Sequence, residues 1–361
     1  MLLTSLKIVN FRNFDQIELI PAARVNILHG PNGSGKTNIL EAIFVLSLGR
    51  SQRGAIDSVL VKNGEEFFRI AGTIENENTP STVAVSYLNR GRKQITIDGV
   101  KVRLQELYKR FSVVAVGPED SEILSGPPSL RRLFMDLYIS QYSGNYLDQL
   151  SKYNRIVAQK NMALKEQMEF ASYNALLIQV GLEIMKSRNQ FLKVVQTLSN
   201  EYYKHFSNGS ELSIAYQPSA VSGGALAETS AEAEFANHLE EISEKEKLLK
   251  TALIGPHRDE ICISINDLPA RTHGSQGEWR SAAIALKLAV FKLLHDRKQN
   301  APLLLMDEVF AELDTRRTEA LINSFAGFEQ LFLTTATTPP PGLGEMGKSF
   351  AIKCGRIEMM A

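Results

Sequence analysis

Gly30-Pro31-Asn32-Gly33-Ser34-Gly35-Lys36-Thr37 decides the fold of this chain. The octapeptide is a complete G-x-x-x-x-G-K-T loop. Its glycines let backbone N–H groups turn inward around a phosphate, Lys36 brings a cation to the β- and γ-phosphates, and the Thr37 hydroxyl suits Mg²⁺. Working outward, Val25, Ile27 and Leu28 form a short apolar run before the loop, as a buried strand would. After it, Ile39, Ile43 and Leu46, with Leu40, Phe44 and Leu48, recur at helical spacing. A strand, a glycine loop and a helix start place an anion at the positive end of the helix. The loop therefore predicts a nucleoside triphosphate site built from Gly30, Pro31, Asn32, Gly33, Ser34, Gly35, Lys36, Thr37 and Asn38.

A second half of such a site lies far downstream. Leu303-Leu304-Leu305-Met306-Asp307-Glu308 is an apolar strand ending in two carboxylates, a Walker B pattern. Asp307 would hold Mg²⁺ through water together with Thr37, and Glu308 would orient or deprotonate the attacking water. Ala311-Glu312-Leu313-Asp314 follows in the place of a D-loop. Ser275-Gln276-Gly277-Glu278 precedes a long helical pattern that leads into the Walker B strand. Ser275 and Gly277 at a helix N-terminus can offer a hydroxyl, backbone N–H groups and a positive dipole end to phosphate. Alone, this turn would read as an ordinary helix cap. Between a P-loop and a Walker B strand it reads as the signature motif of an ABC-type ATPase.

Composition limits the alternatives. The chain has 361 residues, 44% hydrophobic and 22% charged, with room for a large core and two lobes. The longest apolar stretch, Ala282 to Leu294, is interrupted by Lys287 and Lys292, so no membrane span is expected. The N-terminus lacks the pattern of a signal peptide. Cys262 and Cys354 have no paired spacing and read as thiols of a reducing compartment, which predicts a cytoplasmic protein. Forty basic and forty acidic residues cancel, so there is no global nucleic-acid signature. Charge is nevertheless clustered. Arg90, Arg92, Lys93, Lys101 and Arg103 head a basic stretch that runs to Arg110, and glutamates crowd the segment from Glu228 to Lys247. Each run on its own reads as a solvated face; for a DNA-binding chain, Arg90, Arg92, Lys93, Lys101 and Arg103 would be the candidate contacts to the phosphate backbone.

Along the chain, Lys7–Val9, Phe14–Leu19, 67–74 and 82–97 read as strands of an antiparallel sheet, with turns at Asn89-Arg90-Gly91-Arg92 and Asp98-Gly99. From Ser129 to about Phe206 the pattern is helical. Residues 207–232 include a loop, and strand character returns at Ile261–Ile265. The expected fold class is α/β, an ABC-type head. Its first lobe would comprise residues 1–120 and 251–361, and its second a helical insertion over 121–250.

The residues at this point resemble the RecF family of SMC-like ABC ATPases, and the resemblance runs over most of the chain. It is carried by Asn10-Phe11-Arg12-Asn13-Phe14, by Gly49-Arg50-Ser51-Gln52-Arg53, and by Pro118-Glu119-Asp120 through Ile123-Leu124, Gly126, Pro128, Arg131-Arg132, Phe134 and Asp136. Gly255-Pro256-His257-Arg258-Asp259 and the segment from Asp307 to Asp314, Arg317 and Leu321 complete it. Pro127 stands where the family usually has a small residue, and Glu308 where many members have aspartate. Thr335 stands near the place of the transporter switch histidine, and no Q-loop glutamine is evident. The resemblance implies Arg12 and Asp314 as nucleotide contacts, ATP and Mg²⁺ as cofactors, and an ATP-dependent homodimer. It also implies slow hydrolysis used as a switch and binding to single-stranded and gapped DNA. RecO and RecR would be partners in loading RecA during recombinational repair, replication restart and SOS induction. Two other classes stay open from the residues alone: an ABC ATPase driving a membrane partner, and an SMC-like head bridging DNA. The helical block is short for the second.

Overall fold

In the computed structural model, which describes residues 1–76, 79–89, 91–223, 226, 230–297, 301–336, 343, 347–353 and 355–359, the chain forms two compact units. The first comprises Met1–Asp120 with Val290–Ala361, and the second Ser121–Ala289. The expected return to the first lobe at residue 251 comes later in the structure. Strand pairing explains the shift, because a strand before residue 250 and one after it belong to the same small sheet of the second unit.

The first unit begins with β1 (Leu2–Phe11), β2 (Phe14–Leu19), β3 (Val25–His29), α1 (Lys36–Leu48), α2 (Asp57–Leu60) and β4 (Phe67–Asn76). It continues with β5 (Thr79–Leu88), β6 (Gln94–Ile97), β7 (Val100–Lys101), α3 (Leu104–Arg110) and β8 (Val113–Val116). The second unit holds α4 (Glu122–Ser125), α5 (Pro128–Tyr142), α6 (Gly144–Lys165), α7 (Ala171–Phe206), β9 (Leu212–Gln217), α8 (Ala231–Glu241) and α9 (Ser243–Leu249). It closes with β10 (Glu260–Ile265), β11 (Leu268–Pro269) and α10 (Ala270–His273). Helix α11 (Gln276–Arg297) carries the chain across the boundary to β12 (Leu303–Asp307), α12 (Thr315–Asn323), β13 (Leu331–Thr335), β14 (Gly347–Lys353) and β15 (Arg356–Met359).

Two sheets build the first unit. One is antiparallel, in the order β2-β1-β4-β5-β6-β7, and the other runs β15-β14-β3-β13-β12-β8, parallel except for β15. Strands β8, β12 and β13, inside the parallel part of the sheet or at its β8 edge, are buried along their length rather than alternately, as strands covered on both faces must be. All five residues of β12 are buried, and so are all five of β13. Helix α1 packs against strands of both sheets and is buried almost all round, including Glu41 and Ser47. An all-round apolar helix belongs in a core, and this burial fixes where the helix start can point. The β6–β7 hairpin turns at Asp98 (φ 52°) and Gly99 (φ 79°), the two positive φ values that a tight type I′ turn needs.

In the second unit α6 and α7 pack together, α7 also packs on α8 and β9, and α5 packs on β10. Its small sheet runs β11-β10-β9. Strand β9 lies inside the stretch 207–232, in which the sequence indicates a loop and no strand is expected. Its pairing partner is far along the chain, which local composition cannot reveal. A fully buried Arg188 on α7 anchors this unit. It donates to Asp136 Oδ1 (2.8 Å), Asp259 Oδ2 (3.1 Å), Tyr146 Oη (3.0 Å) and the Pro256 carbonyl (2.5 Å). Asp259 is completed by Ser219, through its amide and hydroxyl, and by the Tyr216 hydroxyl. Buried Tyr153 bonds His257 Nδ1 at 2.8 Å, and burial lowers the His257 pKa to about 4, so the ring is neutral. The Asp136 and Gly255–Asp259 motifs therefore form the buried polar frame of the second unit.

Removing one partner from a buried charge network leaves uncompensated charge, at a cost of about 3–5 kcal/mol. Arg188→Met should lower the stability of the second unit by that amount in urea unfolding followed by the single tryptophan, Trp279. An unchanged midpoint would show that the network is not structural.

Candidate functional site

The glycine loop leaves the buried strand β3 and enters α1 directly. Gly30 sits at φ 153°, and a Cβ there would lie 2.2 Å from the Ile352 carbonyl oxygen on β14. Gly35 sits at φ 109°, with Phe14 and Asn13 within 3 Å of where a Cβ would be. Glycine is thus required at both ends of the loop by contact as well as by conformation. The turn joining β1 to β2 braces it: Asn13 Nδ2 donates to the Ser34 carbonyl (3.2 Å), and Asn38 Nδ2 donates to Asn13 Oδ1 (2.8 Å).

Lys36 is almost fully buried. Its ammonium donates to the Gly30 and Pro31 carbonyls (2.8 and 3.2 Å) and pairs with Glu308 Oε1 at 3.2 Å. The buried Ser34 hydroxyl has no hydrogen-bond partner among the described residues. Buried polar atoms normally have one, so this hydroxyl marks a cradle shaped for a polar ligand.

Asp307 ends β12. Its Oδ1 accepts from Thr37 Oγ1 at 2.8 Å and from Thr334 Oγ1 at 2.6 Å. Thr334 is paired with Asp307 in the neighbouring strand, and its hydroxyl in turn accepts from the Glu308 amide at 2.9 Å. Glu308 follows in a left-handed conformation, φ 50°. Such a conformation is uncommon outside glycine and asparagine and accumulates at functional sites. Glu308 Oε2 accepts from the Ala336 amide at 3.2 Å. Burial pushes the Asp307 carboxyl above its usual range, against the hydrogen bonds from Thr334 and Thr37 and the charge of Arg53, which lower it.

Among the described residues no cluster of three or more His, Cys, Asp or Glu is arranged to hold a metal. That suits Mg²⁺ bound with a nucleotide, because this ion takes one or two protein oxygens and completes its shell from phosphates and water. Thr37 Oγ1 and the Asp307 carboxylate are hard oxygen donors at one point, and the orphan Ser34 hydroxyl lies in the same loop. The residues fit Mg²⁺ and a triphosphate.

The structure sorts the remaining site residues. Arg12 is held at φ 55° and forks onto buried Glu41, Nε to Oε2 at 2.8 Å and Nη2 to Oε1 at 2.9 Å, with a third bond to the Val59 carbonyl. Its guanidinium holds the loop helix rather than standing free. Ser275 caps α11 in a reciprocal box with Glu278: its amide and hydroxyl donate to Glu278 Oε2 (2.8 and 2.7 Å), and the Glu278 amide donates back to Ser275 Oγ at 3.3 Å. Ser275 and Gly277 are exposed. Asp314 is exposed and caps α12, accepting from the Arg317 amide at 2.8 Å.

In the basic stretch Arg92, Lys101 and Arg103 are exposed. Lys93 is not free as sequence suggested: its ammonium donates to the Gly49 carbonyl (2.6 Å) and pairs with Asp57 (2.8 Å). Arg90, Glu228 and Cys354 lie outside the described residues. In the acidic run Glu246 departs from the expected solvated face, being fully buried and paired with buried Lys160 at 2.6 Å. Sequence reasoning passed over Thr334 in favour of Thr335. The available signal was a polar residue ending an apolar strand beside Walker B. It also left unassigned Arg53 and Glu119, which stand beside Asp307.

The family described as RecF/RecN/SMC N terminal domain matches residues 2–340. "DNA replication and repair protein RecF" of Halalkalibacterium halodurans is 34% identical over 339 residues, 91% of each chain. The protein of the same name from Bacillus cereus is 31% identical over 346 residues, 93% of this chain and 92% of that one. The chain belongs to the RecF family. A solved structure of the recombination mediator protein RecF-ATP in the RecFOR pathway superposes with a TM-score of 0.92 at 30% identity, covering 99% of this chain and 97% of that one. The RecF-ATPrS structure gives 0.90 at 32% identity, covering 100% and 98%. An Smc head domain of Pyrococcus furiosus, at 0.57 and 16% identity over 99% and 95%, shares the fold alone. The fold is an ABC-type ATPase head. Among the described residues no helix is long and apolar enough to cross a membrane.

Two outcomes follow. Lys36→Ala removes the only cation of the loop and should abolish nucleotide binding; normal affinity for a fluorescent ATP analogue would refute the site. Asp307→Asn should raise the thermal midpoint at neutral pH without nucleotide. A carboxyl whose folded pKa is raised costs stability above that pKa and recovers it as pH falls through it. The advantage of the amide should therefore shrink on acidification, and a variant less stable than wild type at neutral pH would contradict the sign.

Proposed function

We propose that this chain is an ATP-switched DNA-binding protein of recombinational repair. In this reading it binds Mg²⁺·ATP at the Gly30–Asn38 loop and pairs with a second copy around two nucleotides. It acts on single-stranded or gapped DNA with RecO and RecR to load RecA. Support comes from membership of the RecF family and from RecF structures with ATP in the RecFOR pathway. The observation that carries the reading is the convergence of Thr37 and Thr334 on one oxygen of Asp307, with Lys36 and Glu308 beside it. Those are the kinds of group, a cation, a hydroxyl and carboxylates, that a phosphoryl-transfer site uses.

In that site Lys36 would trade its carbonyl and carboxylate partners for phosphate oxygens, releasing Glu308 toward the attacking water. Thr37 and Asp307 would hold the Mg²⁺, which would neutralise charge developing on the phosphates. Ser275 and Gly277 of one copy would close on the ATP of the other, with Asp314 near the junction. Slow hydrolysis would open the pair. The exposed Arg92, Lys101 and Arg103 are candidate phosphate-backbone contacts. ATP would matter for DNA binding because pairing gathers two modest basic faces from a chain of zero net charge.

Glu308→Gln should keep ATP binding, slow hydrolysis by roughly 10²-fold or more, and prolong an ATP-dependent dimer in gel filtration. Hydrolysis at the wild-type rate would remove Glu308 from catalysis. Ser275→Arg should leave monomer ATP binding intact and abolish the dimer. Replacing Arg92, Lys101 and Arg103 together should weaken binding to gapped DNA for all sequences alike and flatten the salt dependence, since each lost phosphate contact releases fewer counterions. Superimposable salt titrations would place DNA elsewhere on the head.

A further inference from the structure

Arg53 lies in the stretch after the loop helix, and its guanidinium spans two acids. Nε donates to Glu119 Oε1 at 3.1 Å, and Nη2 stands 3.7 Å from Asp307 Oδ2. Asp307 Oδ1 is taken by Thr37 and Thr334, so Arg53 approaches the other oxygen of the same carboxylate. Glu119 arrives from the turn after β8, the parallel neighbour of β12. That turn is pinned by the Gly117 amide donating to Asp120 Oδ2 at 2.8 Å. The Gly117 position opens toward both acids: a Cβ there would stand 3.6 Å from Asp307 Cβ and 3.7 Å from Glu119 Oε2.

Arg53 is itself placed by buried groups. Its amide donates to Ser51 Oγ at 3.1 Å, and Ser51 Oγ donates to Glu41 Oε1 at 2.5 Å. Glu41 is the buried acid on which Arg12 forks. A continuous chain of hydrogen bonds therefore runs from the β1–β2 turn to the cation that faces Asp307.

We propose that Glu119 belongs to the divalent-cation subsite, acting through the ion's water shell, and that Arg53 is a resident cation that competes with the divalent ion for Glu119 and Asp307. Two carboxylates with one guanidinium between them keep a single net negative charge, so a divalent ion added beside the guanidinium would overshoot neutrality and crowd like charges. A guanidinium on a half-exposed side chain can swing away at little cost. Glu119 would act through water because no three-acid cage exists among the described residues and Mg²⁺ gives up its waters reluctantly. The arrangement makes the divalent ion do work on arrival: it must displace Arg53, which then becomes available to the phosphate side of the site. Arg53 and Glu119 are positioning residues in this account.

The inference rests on the proposed ATP site, and its test separates the two. Wild type, Arg53→Met, Glu119→Gln and the double variant are loaded with ATP without divalent metal, and binding is verified with a fluorescent ATP analogue. Mn²⁺ is then titrated and bound ion read by its paramagnetic resonance signal. Failure of all four proteins to bind the analogue would sink the ATP site itself. With ATP bound, Arg53→Met should tighten Mn²⁺ about fivefold and Glu119→Gln should weaken it about fivefold, as expected for one charge a few ångströms away near a wetted surface. In the double variant the gain from Arg53→Met should shrink, because part of that gain acts through Glu119. A structural role alone would lower Mn²⁺ affinity in both single variants, and that result, or unchanged affinity in both, overturns the proposal. Both side chains are more than a third exposed, so folding should survive, checked by thermal midpoint.

Discussion

One carboxylate oxygen organises this site. Asp307 Oδ1 accepts hydroxyls from Thr37, at the start of the loop helix, and from Thr334, on the adjacent strand. The donors come from elements that follow β3 and lie in β13, and the acceptor ends β12, so three neighbouring strands are fixed in register at one end of the parallel sheet. The ends of parallel strands are where open α/β sheets present loops to ligands. Asp307 is almost fully buried there, and its charge is disfavoured by that burial. Such a group is stabilised by an incoming cation more than an exposed one would be. The fold thus holds an acid where a cation would relieve the cost of burying its charge.

The rest of the first unit holds that oxygen in place. Helix α1 is buried against both sheets, which leaves its N-terminus no freedom of direction. The β1–β2 turn supports the loop through Asn13, and Arg12 supports the helix through Glu41. Arg12 reads from the family resemblance as a nucleotide contact. Its observed bidentate bond to a buried carboxylate makes it a brace, and a brace of this kind is costly to break because Glu41 would be left charged in the core.

Most of the first unit was legible in the sequence because its signals are local. The loop, the apolar strand before it, the Walker B strand and the Asp98-Gly99 turn each declare themselves within a few residues. What remained hidden depended on distant partners. Strand β9 goes unassigned until it meets β10, and the second unit's polar frame joins residues from Asp136 to Asp259. Thr334 rather than Thr335 reaches Asp307 because strand register, which sequence does not state, puts Thr334 opposite the acid. Lys93 and Glu246 look like surface charges, yet one is tied to Asp57 and the other to buried Lys160. Charge runs reveal composition and not which member turns inward.

In the proposed reading the Gly30–Asn38 loop, Asp307 and Thr334 form one ligand-responsive unit. Amide hydrogen exchange of the wild-type protein with and without Mg²⁺·ATP tests it most directly. The account predicts that peptides covering 30–40, 303–309 and 331–336 gain protection together at low protein concentration, and that 275–281 joins them only as concentration rises and copies pair. Protection of the loop peptide without any change at 303–309 and 331–336 would contradict it.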